Sequence, residues 1–410
     1  MSESTSPQRL KRSLTLWLAV LYGLGVTIGA GIYVLVGIAA GRSGMHAPLA
    51  FVLAALVMSF SAASFAELGT RMPVSASEAA YVEKAFNRPW LSLTMGLLVV
   101  LTATISAATI SVGSAGYLGV FVDLPARWII ILVVLSMGLV ACLSTRQSVT
   151  LAGIMTLIEL GGLVLIIIAG FGAGSGIVTR LPEIWPASAD IGVWVGLTGT
   201  TLIAVFAFIG FEHLVNIAEE MKTPSRTLPW ALFLTLGITA LVYALVVWVA
   251  VVAVPPDERA ASSAPLALVF ERLTGMPLKT MSMIAVVATL NGVIVHVIMI
   301  SRVLYGLAAQ GNLPKALAHL NPTTGTPLLA TAIGISAILV LALAVPLSGL
   351  ADLTARFTLL VFAIINITLI RIKSRESAVP ARVFVCPLWV PVAGLVSSIG
   401  LLFLDLAVRS

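Results

Sequence analysis

The stretch Tyr22-Gly-Leu-Gly-Val-Thr-Ile-Gly-Ala-Gly-Ile-Tyr33, inside the first long apolar segment, decides the fold. Four glycines (Gly23, Gly25, Gly29 and Gly31) crowd into what its length and apolar character make a membrane-spanning helix. One glycine costs a helix up to about 1 kcal/mol relative to alanine, so four together mark a place where the helix opens. Within lipid an opened helix must be buried in protein or line a wet cavity, because its freed N–H and C=O groups need partners. A bound ligand is one such partner. The spacing therefore predicts that Thr27 to Ile32 is unwound backbone at mid-membrane and that it holds something small and polar.

Composition agrees with a chain that lives in lipid. Of its 410 residues, 59% are hydrophobic and 10% charged, and mean hydropathy is +1.10. So few charges do not cover a soluble protein of this size. Long unbroken apolar runs, rather than short alternating ones, make it an all-α polytopic membrane protein and not a barrel. The first apolar segment is too long, and too soon followed by others, to read as a removable signal peptide. The net charge of +6 comes from placement: with the N-terminus set in the cytoplasm, most of the 23 Lys and Arg fall on that side. This is the positive-inside pattern, so the basic balance reports topology and no nucleic-acid partner is expected. Cys142 and Cys386 both fall near cytoplasmic helix ends, where a structural disulfide is not expected.

Taken in order, the chain reads as a cytoplasmic tail (1–13) followed by about eleven spanning helices. The first five fall within 14–173, five more within 190–372, and one further helix within 384–408. The third segment, Pro89 to Val122, is rich in small residues from Thr102 to Gly116, which let neighbouring backbones approach. In the loop after the seventh, Ala264 to Leu273 reads as a short surface helix over the outer mouth. The sixth segment carries Val205-Phe-Ala-Phe-Ile-Gly-Phe-Glu-His213, where a glycine and a charge arrive in mid-run. It stands to its segment roughly as Thr27–Ile32 stands to the first. Two five-helix halves, each opening on an interrupted helix, form the pattern of an inverted-repeat secondary transporter.

Four motifs in the right order resemble the amino acid–polyamine–organocation (APC) superfamily, bacterial amino acid permease type. They are Gly25-Val-Thr-Ile-Gly-Ala-Gly-Ile-Tyr33, Ala66-Glu-Leu-Gly-Thr-Arg-Met-Pro73, Phe206-Ala-Phe-Ile-Gly-Phe-Glu212, and Ser301-Arg-Val-Leu-Tyr-Gly-Leu-Ala-Ala-Gln-Gly-Asn-Leu-Pro314 followed by Gly325-Thr-Pro327. The resemblance implies a LeuT-like fold of five plus five inverted helices with the first and sixth broken. It implies that Gly29, Ala30 and Gly31 offer N–H groups to a substrate carboxylate, with Ile28 contributing backbone beside them. Phe206, Ala207 and Ile209 would offer carbonyls to the α-amino group, and Phe206 or Phe208 would lie over the substrate as a gate. Helix dipoles agree with that polarity, since a half-helix N-terminus favours an anion and a C-terminus a cation. Asn291, on the eighth helix, is a further candidate for the cavity, with walls from the third, eighth and tenth helices. The first loop departs from the family pattern, with Ser75-Ala-Ser-Glu-Ala79 where many relatives carry a Gly-Gly pair.

Two carboxylates are candidates for coupling. Glu159 sits in an otherwise uncharged run, about where proton-coupled relatives place a lysine. A carboxylate at helix centre costs about 2.5–3.5 kcal/mol, so it must face protein or water. It reads either as a proton carrier, protonated while enclosed and ionised when wetted, or as a hydrogen-bonded lock between helices. Glu212 reads as a local anion at a half-helix N-terminus or as a proton sensor. His213 and His296 read as hydrogen-bonded interhelical histidines. The expectation is a proton-coupled neutral amino acid transporter in the cell inner (plasma) membrane, with an exchanger or a non-transporting sensor as alternatives. No cofactor or metal is expected, and no nucleophile–base motif at depth suggests an enzyme.

Overall fold

In a computed structural model, the described residues are 14–409 apart from Gly29, 74–76, 143–144, Ser175, 187–189, 256–257, 259–260 and 377–381. They are almost wholly helical. The first segment is two helices, α1 (Leu16–Thr27) and α2 (Ala30–Ser43). Then come α3 (Ala47–Arg71), α4 (Ser77–Phe86), α5 (Pro89–Leu118), α6 (Ala126–Ala141) and α7 (Thr145–Gly172). The second part opens with α8 (Ile191–Ala207), a turn, and a 3₁₀ helix Phe211–Glu220. It continues with α9 (Pro224–Ala253), the short α10 (Pro265–Thr274), α11 (Leu278–Ala309), α12 (Leu328–Ala344), α13 (Leu347–Arg375) and α14 (Trp389–Arg409). Eight stretches are long and apolar enough to cross a membrane, and α1, α6 and α12 are shorter apolar helices. One of the eight, Gly31–Arg71, holds both α2 and α3. With α1 and α2 counted as one interrupted crossing and α3 as the next, the described helices give eleven spans, against about eleven expected.

Local chemistry explains the helix ends. Prolines open α3, α5, α9 and α10 within the first turn, where a missing N–H costs nothing. Asp190 caps α8 by accepting from the N–H of Gly192 at 2.8 Å. Helix α3 is held to its end at Arg71, whose Nη2 reaches back one turn to Glu67 Oε1 at 2.7 Å. The first break is narrower than expected. Thr27 is still helical, Ile28 leaves the helix at φ −78°, ψ 59°, and α2 has resumed by Ala30. Glycine density alone overstated the opening, because each glycine that remains helical is used for close packing instead.

That packing is tight throughout the core. A Cβ on Gly113 of α5 would lie 2.3 Å from Val34 Cγ2, so the small-residue band of α5 seats α2 directly against it. On the face where α3 ends, Glu67 is completely buried and gathers Lys373 Nζ (2.7 Å), Arg71 and the N–H of Cys386 (2.9 Å). It thereby ties α3 and α13 to the segment entering α14. Burial and the Glu67 charge push the Cys386 thiol up to about 12, so it stays protonated. Both cysteines are free thiols.

Removing Glu67 would leave Lys373 in that space without its anion, while Arg71 keeps Glu376. Loss of one partner from a buried pair costs about 3–5 kcal/mol. Glu67→Ala is therefore expected to lower the melting temperature of the detergent-solubilised protein sharply. Glu67→Ala with Lys373→Met should recover part of the loss, and an unchanged melting curve in the single variant would contradict the anchoring role.

Candidate substrate site

The two interrupted segments meet at their breaks. Gly31, in the first turn of α2, lies so close to the end of α8 that an added Cβ would stand 3.0 Å from Ala207 Cα. Gly210, in the turn after α8, lies closer still to the end of α1: its Cβ would fall 2.5 Å from Val26 O. Gly210 has φ +127°, which L side chains avoid, so glycine is required there on two counts. The first-turn N–H groups of α2 lack intrahelical partners by the geometry of any helix end. The end of α8 shares its carbonyls with the turn, Val205 O accepting from the N–H of Phe208 at 3.1 Å and Phe206 O from that of Ile209 at 3.2 Å. Opposite dipole ends are thus brought within one small space.

A cavity opens at this junction. Gly25, Val26, Thr27 and Gly31 line it from the first segment, and Phe206, Ala207 and Ile209 from the second. Its other wall is Ser106 and Ile110 of α5 with Gly292, Val295 and His296 of α11. A second cavity shares Ser106, Ile209 and His296 with the first. It continues toward the face where α3 ends, past Thr102, Glu78 of α4, Glu212 and His213, to Thr358 and Phe362 of α13. At the far face, Arg42 at the end of α2 pairs with Asp352 of α13 at 3.3 Å.

The residues singled out from sequence fall into three groups. Gly31, Phe206, Ala207 and Ile209 line the cavity. Gly29 lies outside the described residues, as does the side chain of Ala30, whose backbone begins α2. Ile28 and Phe208 are fully buried and off the lining. Phe208 packs on Tyr243, ring centroids 5.3 Å apart, and on Phe51 at 6.4 Å, which leaves Phe206 as the aromatic facing the cavity.

Asn291 and Glu159 form one unit. Asn291 lies beside the lining residue Gly292, and its Nδ2 donates to Glu159 Oε1 at 3.0 Å instead of pointing into the cavity. The unit touches the first break through its neighbours. Tyr33 Oη donates to the Glu159 carbonyl at 2.6 Å, and a Cβ on Gly25 would lie 2.5 Å from Thr156 Oγ1. Nearby, Tyr243 Oη donates to the Thr27 carbonyl at 2.9 Å. Glu159 Oε2 is buried with no hydrogen-bond partner among the described residues. Glu212 clasps the other break: its Oε2 accepts from the N–H of Gly210 at 2.8 Å, while Oε1 stands 4.0 Å from His213 Nε2. His296 hydrogen-bonds across helices to Ser106 at 2.8 Å.

Sequence reasoning missed Ser106, Ile110 and Val295. A signal was present in the band from Val99 through Thr102, Ala103 and Ser106 to Ile110, whose three-to-four-residue spacing is one helix face. The third helix was expected as a wall of the cavity, but no residue of that face was singled out, because small residues in a spanning helix serve packing and cavity alike.

Comparison with known proteins places this geometry. The amino acid permease family model matches residues 14–410. An uncharacterized transporter of Mycobacterium tuberculosis (strain ATCC 25618 / H37Rv) is 29% identical over 402 residues, covering 97% of this chain and 87% of the relative. The branched-chain amino acid permease BcaP of Bacillus subtilis (strain 168) is 26% identical over 415 residues, covering 94% and 86%. A mitochondrial cationic amino acid transporter 3 of Arabidopsis thaliana is 28% identical over 395 residues, covering 89% of this chain and 63% of that longer protein. Matched by one family model from Leu14 to its last residue, and built around two helix breaks that meet at a cavity, the chain belongs to the amino acid permeases of the APC superfamily.

Proposed function

We propose that the chain is a secondary active transporter that takes up a neutral amino acid with protons by alternating access. It would work in the plasma membrane with its N-terminus in the cytoplasm. The observation that carries this is the contact of the two breaks at the cavity. It gathers half-helix N–H groups and half-helix carbonyls a few ångströms apart, the separation of the two charges on an amino acid. Gly29 to Gly31 would hold the carboxylate and Phe206, Ala207 and Ile209 the ammonium, with the side chain against α5 and α11. Residues 14–173 and 190–372 would be the two inverted halves, each opening on its own break.

A neutral substrate is favoured because the cavity at the breaks has no acidic residue in its lining among the described residues; Glu212 lines only the neighbouring cavity and is engaged by Gly210. The printed name of the Bacillus subtilis relative, a branched-chain amino acid permease, points the same way, whereas that of the Arabidopsis thaliana relative, a cationic amino acid transporter, points to a charged substrate. Glu159 is the proton carrier of choice. It is a carboxyl in the middle of a spanning helix, linked through Asn291 and Tyr33 to the moving parts and with one oxygen left unpaired.

The test is counterflow in proteoliposomes against all twenty amino acids, with and without an inward proton gradient. Uptake of a neutral amino acid, raised above equilibrium by the gradient, is expected. Uptake only against an internal amino acid, indifferent to the gradient, would make the protein an exchanger. Preference for lysine or arginine would shift the substrate toward the Glu78 and Glu212 side of the second cavity. Binding with no flux under any condition would end the transporter reading.

A further inference from the structure

The cavity wall facing away from the breaks is apolar except at one place, where Ser106 of α5 meets His296 of α11. Both side chains are buried, at 2% and 9% exposure, and both line the cavity. Their hydrogen bonds fix which atom carries which proton. His296 Nδ1 lies 2.7 Å from the carbonyl oxygen of Gly292. A carbonyl only accepts, so Nδ1 carries the hydrogen. In the neutral ring Nε2 then has only a lone pair, and Ser106 Oγ, 2.8 Å away, must donate to it. The ring has no carboxylate among its hydrogen-bond partners to offset a buried charge, which favours the neutral form. The Ser106 proton is therefore committed to His296, and the hydroxyl turns only lone pairs toward the cavity. Beside it stand Ile110 and Val295, which offer no side-chain hydrogen bond at all.

From this we infer that Ser106 is a fixed hydrogen-bond acceptor that selects a small β-hydroxy amino acid, threonine or serine, over its apolar isostere, with His296 as the positioning residue. The inference rests on the amino acid reading proposed above and specifies its substrate class. With the zwitterion's charges held at the breaks, the first carbons of the side chain fall toward α5 and α11. A β-hydroxyl there can donate to Ser106 Oγ, whereas a methyl in the same place leaves the lone pairs facing hydrocarbon. One ordinary hydrogen bond corresponds to a preference of about three- to tenfold.

The measurement is equilibrium binding of threonine, valine, serine and alanine to the purified full-length protein and to Ser106→Ala. The wild type is expected to bind threonine about three- to tenfold tighter than valine, and serine tighter than alanine by a similar factor. In Ser106→Ala both ratios should fall to about one, because the hydroxy amino acids lose their acceptor. Allo-threonine, which exchanges the hydroxyl and methyl positions, gives a second readout on the wild type alone. It should bind at least about threefold more weakly than threonine. A wild-type ratio at or below one, equal binding of the two threonine epimers, or a preference that survives Ser106→Ala would each overturn the inference while leaving the transporter reading in place. If the wild type bound no amino acid, both would fall together.

Discussion

Gly210→Ala is expected to reduce uptake to a few per cent of wild type or less while the protein still inserts in the membrane. Two independent costs converge on this position. The backbone sits at φ +127°, where a non-glycine residue costs roughly 1–3 kcal/mol. The new methyl would also be driven to within 2.5 Å of Val26 O and 2.7 Å of Val26 C. These are backbone atoms, which cannot swing aside as a flexible side chain does, and overpacking of this kind costs roughly another 1–3 kcal/mol. Relief requires the two breaks to separate, and their contact is what shapes the cavity. Each 1.4 kcal/mol is about a factor of ten in an equilibrium constant, so the effect on binding should be large. Gly237→Ala is the matched control: Gly237 lies within α9, and a Cβ there meets nothing within 4 Å. That variant should transport normally and be no less stable, since alanine is the better helix former. Undiminished amino acid binding by Gly210→Ala would show that the breaks do not form the site.

Glu159→Gln is expected to separate driven uptake from exchange. Glutamine keeps the shape of the side chain, and its amide oxygen can still accept from Asn291 Nδ2, now 3.0 Å from Glu159 Oε1. What it loses is the ability to take up and release a proton. Counterflow should therefore continue, whereas accumulation driven by a proton gradient should fall by at least roughly tenfold, to the level seen without the gradient. The link to transport is geometric. Tyr33, which donates to the Glu159 carbonyl, belongs to α2, and Thr156, one turn before Glu159, packs on Gly25 of α1. Both sides of the first break thus pack on the turn of α7 that carries Glu159, through which a change of its charge would act. Proton-driven accumulation that survives Glu159→Gln intact would refute the carrier role and reduce the carboxyl to a lock between α7 and α11.

The sequence alone determined the membrane class, about eleven spans and the two interruptions. These properties rest on terms local in sequence: the transfer energy of an apolar run, the helix cost of glycine, and the boundary set by a proline or a charged cluster. The resemblance of four ordered motifs to one family singled out Ile28 to Gly31 and Phe206 to Ile209, of which Gly31, Phe206, Ala207 and Ile209 line the cavity and Ile28 and Phe208 do not. Only the tertiary structure decided which of Phe206 and Phe208 faces the cavity, because both sides of a buried helix end are equally apolar and only the neighbours Phe51 and Tyr243 claim one ring. The same holds for Glu159 with Asn291, for Ser106 with His296, and for Glu67 with Lys373. Each pair lies more than a hundred residues apart in the chain, and no local rule brings such partners within hydrogen-bonding distance. In lipid, where every polar group seeks a partner inside the protein, the choice of partner is made by the packing of the spans.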